Sequence, residues 1–308
     1  MIISFKTSNT VAEKIYNKAK TVLLSIVNDD MTDYQKVLTI YNWLIENTHY
    51  STNFDTIMNT NSAWSNLVDN KVLGNYKYNY LESIFNVEEN ETMLASSNAL
   101  AKAFVLMCRI EGINAIKVNG SKADSNYHYW NKVYIDANVN DAIDARWYTI
   151  DIASSYIFDN KGIQGEGGKN IRYQLPGHSY FMVTDDVISS AGIVEKFATQ
   201  EVKSETTFDY FANTIFITPD LTVVSAKFNE EKDSQEAYVK EVLKYMHSIV
   251  NNKYHTFIEI DMTNNSYASI QVKNIGNYLR DLSYDGFVTY SATAYGTCLY
   301  ILMTPQKA

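Results

Sequence analysis

The stretch that most constrains the fold lies between residues 97 and 151, where one amphipathic helix is followed at once by three short strands. Leu100, Ala101, Phe104, Val105 and Cys108 recur at helical spacing from about Ser97 to Glu111, and Gly112 is placed to end the run. NAIKVNG (114–120), HYWNKVYI (128–135) and RWYTID (146–151) are rich in β-branched and aromatic residues, and a polar loop joins the last two. The order read here is one helix and then three short strands.

The flanking segments extend that order. Residues 10–27 and 33–47 carry apolar residues at helical spacing, and Thr32-Asp33-Tyr34-Gln35 reads as a capping box opening the second helix. Residues 65–92, rich in Asn and Tyr, read as loop with a short helix. Residues 159–177 read as a Gly-rich loop, and HSYFMVT (178–184) as a further strand. From about residue 230 the order becomes helix, strand (257–261), helix (267–281), strand, strand. That αβαββ order predicts a small C-terminal α/β domain, with 1–220 as the first domain and 221–308 as the second.

If the last two strands of the first domain pair antiparallel, a register placing Ile135 opposite Asp144 also places His128 opposite Asp151. A carboxylate facing an imidazole fixes its tautomer and steadies its positive charge, the orienting role in nucleophile–base–acid triads. Ser97, beginning a helix whose free N–H groups favour developing negative charge, is the candidate for the nucleophile's place. As an isolated residue it would read as a helix N-cap.

The run Ser97-Asn98-Ala99-Leu100-Ala101-Lys102-Ala103-Phe104, then Glu111-Gly112-Ile113-Asn114-Ala115, His128-Tyr129-Trp130-Asn131 and Trp147-Tyr148-Thr149-Ile150-Asp151 resembles the core of the transglutaminase-like superfamily, of the bacterial type. The resemblance implies a papain-like α+β fold, with helices packed on an antiparallel sheet, and a Cys-His-Asp triad acting on a peptide or side-chain amide by acyl transfer or hydrolysis. On this chain it maps to Ser97, His128 and Asp151 as catalytic positions, with Trp130, Asn131 and Tyr129 on the substrate side. Trp130 and Trp147 read as core residues walling the site. Ser97 stands where the family has cysteine, and Ala95 and Ala99 stand where it has glycines. Cys108, about 16 Å further along the helix, is too far to substitute. Three readings of Ser97 stay open: natural loss of activity, replacement of a natural cysteine, or, ranked last, a working serine hydrolase.

The resemblance implies no cofactor, and no calcium site like that of the animal enzymes is apparent. It implies a peptide or protein substrate, with cell-wall material as a further partner. A non-catalytic peptide- or cell-wall-binding module on the same fold is the rival reading. Composition excludes other classes. A net charge of −9 without a basic run argues against nucleic acid, and no stretch has the length of a membrane span. His49, His178, His247 and His255 show no metal spacing. GIQGEGGKN (162–170) lacks the Ser or Thr of a phosphate loop and reads as a lid. The N-terminus carries no leader pattern, an expectation compatible with a secreted or cell-surface protein that has lost one.

Overall fold

The computed structural model describes residues 10–50, 81–85, 93–122, 127–137, 145–164, 170–195, 202–205, 210, 214–217, 221–230, 234–249, 255–284 and 288–305. In chain order the elements are α1 (Val11–Ile26), α2 (Asp33–Asn47), β1 (His49–Tyr50), α3 (Leu81–Ile84), β2 (Leu94–Ala95), α4 (Ser97–Ile110), β3 (Asn114–Ser121), β4 (Tyr127–Ile135), β5 (Arg146–Ile150) and α5 (Ile152–Ser155). There follow β6 (Tyr156–Gln164), β7 (Asn170–Pro176), α6 (Asp185–Ser190), β8 (Val194–Glu195), β9 (Thr214–Ile217), β10 (Leu221–Lys227), α7 (Gln235–Ile249), β11 (His255–Asp261), α8 (Asn265–Asp281), β12 (Val288–Tyr295) and β13 (Cys298–Pro305).

These elements group into two compact units, one of residues 1–156 and 180–208, the other of 157–179 and 209–308. In the first, β5-β4-β3-β8 form an antiparallel sheet. α4 packs on β3, β4, α2 and α5. Leu100, Phe104, Met107 and Cys108 turn inward and are fully or almost fully buried. Each such side chain taken from water contributes roughly 1.5–3 kcal/mol, so α4 holds this layer together. Val105, expected in the core, instead lies half-buried on the outer side of α4. The helix ends through Gly112 at φ +81°, a left-handed value that glycine adopts without strain. At the other end of the unit, the Thr32–Gln35 capping box forms with both hydrogen bonds present.

Three expectations change. The β4–β5 ladder pairs Ile135 with Arg146, two residues from the expected register, because β5 stops at Ile150 and Asp151 turns out of the ladder to cap α5. HSYFMVT is not a strand: Met182 has φ +56°, and only Val183 bridges to Thr149. Its apolar residues Tyr180, Phe181, Met182 and Val183 are buried as a turn in the core, with Phe181 edge-on to Tyr41. Most of the expected loop over 159–177 is strand, β6 pairing with β7; residues 165–169 of the expected lid, and most of 65–92, lie outside the described residues.

In the second unit the sheet runs β12-β13-β11-β10-β9, with β10 and β11 parallel and the other pairs antiparallel. The αβαββ order appears as α7, β11, α8, β12 and β13. Val239, Leu243, Ile275 and Leu279 of the helices pack against Val224, Ile258, Ile260 and Ile301 of the sheet. On its other face Glu259 is fully buried, bonding the ring Nδ1 of His178 at 2.7 Å and the backbone N–H of the same residue at 3.0 Å. The Ser225 hydroxyl donates to that carboxylate at 2.5 Å, and the Tyr210 ring stacks on His178 at 4.1 Å. Every group in this buried knot has a partner, the condition under which burying charge is tolerable.

Candidate active site

His128 sits on β4 with its ring fully buried, and its Nε2 lies 2.6 Å from Asp151 Oδ2. The strand alone does not place that carboxylate. Asp151 N–H donates to the Tyr180 carbonyl at 2.9 Å, and Asp151 Oδ1 accepts the Ser154 N–H at 3.0 Å as the N-cap of α5. One carboxylate oxygen is thus held by the helix and the other is left for the imidazole. Burial alone would raise the Asp151 carboxyl; the charge and hydrogen bond of His128, helped by Lys122 and the Ser154 N–H, outweigh it and hold the group below its ordinary range. Ser154 Oγ lies 3.3 Å from the same His128 nitrogen. The other ring nitrogen, Nδ1, is buried and meets no hydrogen-bond partner among the described residues.

Ser96 and Ser97 are adjacent, fully buried serines at the head of α4, and they divide two roles between them. Ser96 is the N-cap, its hydroxyl accepting the Ala99 N–H at 3.2 Å. Ser97 is the first helical residue, so the cap role that its type suggests belongs to its neighbour. α4 packs against β4, which carries His128, and against α5, which Asp151 caps. Cys108 is three turns on and fully buried; burial pushes its thiol well above the usual range, with Glu111 adding to the shift.

The residues around His128 separate by strand alternation. Trp130, two positions on, shares its face, with its ring 6.0 Å from the imidazole and 24° from parallel. It is buried in a cluster with Val118, Tyr180, Val183 and Ile193. Asn131 points the other way. It is buried, and its amide donates to the carbonyls of Ala101 on α4 at 2.9 Å and Ile116 on β3 at 3.3 Å, tying helix to sheet. Tyr129 is half-buried, with Lys117 Nζ 4.4 Å from its ring centroid. Trp147 is only partly buried, its ring 5.3 Å from that of Tyr134, and is not the core residue it resembled.

A polar knot that sequence reasoning missed lies on the same unit. Lys132, almost fully buried, donates to Asp185 at 2.9 Å and to the Val202 carbonyl at 2.6 Å. Asp185 in turn accepts from the Thr149 hydroxyl at 2.7 Å and the Ser204 N–H at 3.0 Å. The detectable signal was position: Lys132 alternates with His128 and Trp130 on one strand face, where a lysine must either reach water or find an anion. Among the described residues no group of three His, Cys, Asp or Glu is arranged to hold a metal, and no helix is long and apolar enough to cross a membrane.

Residues 20–152 match the family model of the transglutaminase-like superfamily. Among solved structures, one described as a crystal structure of a TGase is similar at 17% identity, covering 53% of this chain and 38% of that one, with a TM-score of 0.32. No curated protein matches the chain.

Proposed function

From a chain that carries a transglutaminase-like superfamily domain over residues 20–152, we infer an acyl-transfer or amide-hydrolysis site on a peptide or protein substrate, with its nucleophile's place taken by Ser97. In this reading His128 is the base and Asp151 its orienter. The observation that carries it is the division of labour on the imidazole: Nε2 is given to a buried carboxylate while the equally buried Nδ1 is given to nothing described. A ring so held has its tautomer set with the proton toward Asp151, which leaves Nδ1 as the acceptor.

A thiol at residue 97 would be ionised by such a base and by the helix N-terminus, then attack a carbonyl to give an acyl-enzyme that water or an amine resolves. A hydroxyl must lose its proton during attack, so the chain with Ser97 turns over slowly or not at all. Ser97→Cys creates the thiol. Iodoacetamide at neutral pH should label residue 97 at least about tenfold faster than the equally buried Cys108, and adding His128→Ala should remove most of that advantage.

The fully buried serine also supports a second reading, a domain of this fold that binds peptide or cell-wall material without reacting with it. An introduced thiol that alkylates no faster than Cys108, with or without His128, decides for that reading.

A further inference from the structure

The outer side of α4 carries a groove of about 400 Å³. Its walls are apolar: Val105, Leu106 and Ile110 of α4, with Leu81 of α3, are each only half-buried. Its rim is cationic, made by Lys102, Arg109 and Lys117, and none of its lining residues among those described is acidic. In a chain of net charge −9, three cations around one apolar surface are a local inversion of sign.

Two of the cations are held in place. Lys117 Nζ donates to Asn98 Oδ1 at 3.0 Å and lies over the Tyr129 ring. Burial, followed by the charge of Lys102, lowers the Lys117 amine to about 8, so the pair already repels at the rim. Glu82 on α3 offsets Lys102 in part. Arg109 spends Nε and Nη2 on the Ala115 carbonyl at 3.3 and 3.1 Å while its side chain stays exposed, which leaves further N–H donors of the guanidinium facing outward. An anion at the rim would relieve the repulsion, and an apolar side chain would cover Val105 and Leu106.

We propose that this groove binds an acidic peptide segment, its carboxylates on Lys117 and Arg109 and an apolar side chain on Val105, Leu106 and Ile110. The assignment rests on the peptide-acting reading above: the groove runs along α4, the helix whose first residue is Ser97, and Asn98, which holds Lys117, is the next residue of that helix. The segment is then the part of the substrate that fixes which acyl group is presented.

The test is fluorescence anisotropy of the full chain with fluorescein-labelled decapeptides, one alternating Glu and Leu, the other Lys and Leu. The Glu–Leu peptide should bind and the Lys–Leu peptide should not. Lys117→Gln and Arg109→Gln should each weaken binding about tenfold, the size of one lost charge-assisted hydrogen bond. Leu106→Glu, at a half-exposed position, should abolish it. Circular dichroism checks that each variant folds, and Arg109→Gln, being exposed, serves where Lys117→Gln does not fold. Glu–Leu binding that none of the three changes alters, or laurate binding at the groove in place of either peptide, overturns the proposal. Labelling of Ser97→Cys is scored separately: a reactive thiol without peptide binding sinks the groove alone, and peptide binding with an inert thiol sinks the catalytic reading alone.

Discussion

The indole of Trp130 occupies the space that any side chain on residue 120 would need: a Cβ on Gly120 would come within 2.5 Å of Trp130 Cη2 and would also strike the Val194 carbonyl. Gly120 pairs with His128 across the β3–β4 ladder, so the missing side chain and the imidazole are direct neighbours. Gly120→Ala should cost about 1–3 kcal/mol by overpacking, read from urea denaturation. It should also displace Trp130 from beside His128 and slow alkylation of Ser97→Cys. An unchanged midpoint would mean that β8 gives way without cost.

Asp151 is predicted to shape the acid limb of stability. Its carboxyl is held below its ordinary value of about 3.9, so its contribution is complete above that pH and is lost as pH falls through the lower folded-state value. Wild type should therefore lose stability more steeply below about pH 4 than Asp151→Asn, which has nothing to titrate there. Asp151→Ala, which strips His128 of its carboxylate partner, should cost about 3 kcal/mol at pH 7. Denaturation curves from pH 2.5 to 7 read both, and parallel acid limbs would contradict the pairing.

Lys132 and Asp185 should be energetically coupled. Lys132→Met leaves Asp185 only its Thr149 and Ser204 donors, while Asp185→Asn leaves a buried ammonium with the Val202 carbonyl and Glu195, 3.5 Å away. A double-mutant cycle should give at least about 1 kcal/mol of coupling. Additive losses would show the two acting separately.

Both natural cysteines should be silent in the native protein. Cys108 and Cys298 are buried, and burial with nearby carboxylates pushes the Cys298 thiol up to about 12. A thiol-reactive disulfide reagent should titrate none at pH 7.5 and two after denaturation. Rapid native reaction of either would reveal an opening that these buried positions do not suggest.

What was legible in the residues followed from local chemistry. Helix periodicity and the Thr32–Gln35 box set α2, and Gly112 set the end of α4, because each depends on neighbours in sequence. The pairing of His128 with Asp151 was anticipated through the wrong ladder. A shift of two residues keeps every side chain on its face, and the α5 cap, which no strand pattern contains, brings the carboxylate back to the ring. Ser97 read as a cap residue by its type, but the helix takes its cap from Ser96, a difference of one position that only the geometry of the first turn decides. Tyr180 to Val183 looked like a strand because burial selects the same residues in a compact turn. The Lys132–Asp185 knot was invisible for a different reason: its partners come from four segments that only the fold assembles.

The path of the chain between its two units has a consequence during synthesis. Residues 157–179 leave the first unit, join the second and return, and His178 at the end of that excursion is bonded to Glu259, 81 positions later. On the ribosome the β6–β7 hairpin and His178 emerge long before β11, the strand whose carboxylate bonds that histidine. A chain arrested near residue 220 would hold a buried-type histidine with no carboxylate and a hairpin with no sheet. The second unit is therefore begun in the middle of the chain and completed only by its last eighty or so residues, after every residue of the first unit has been made.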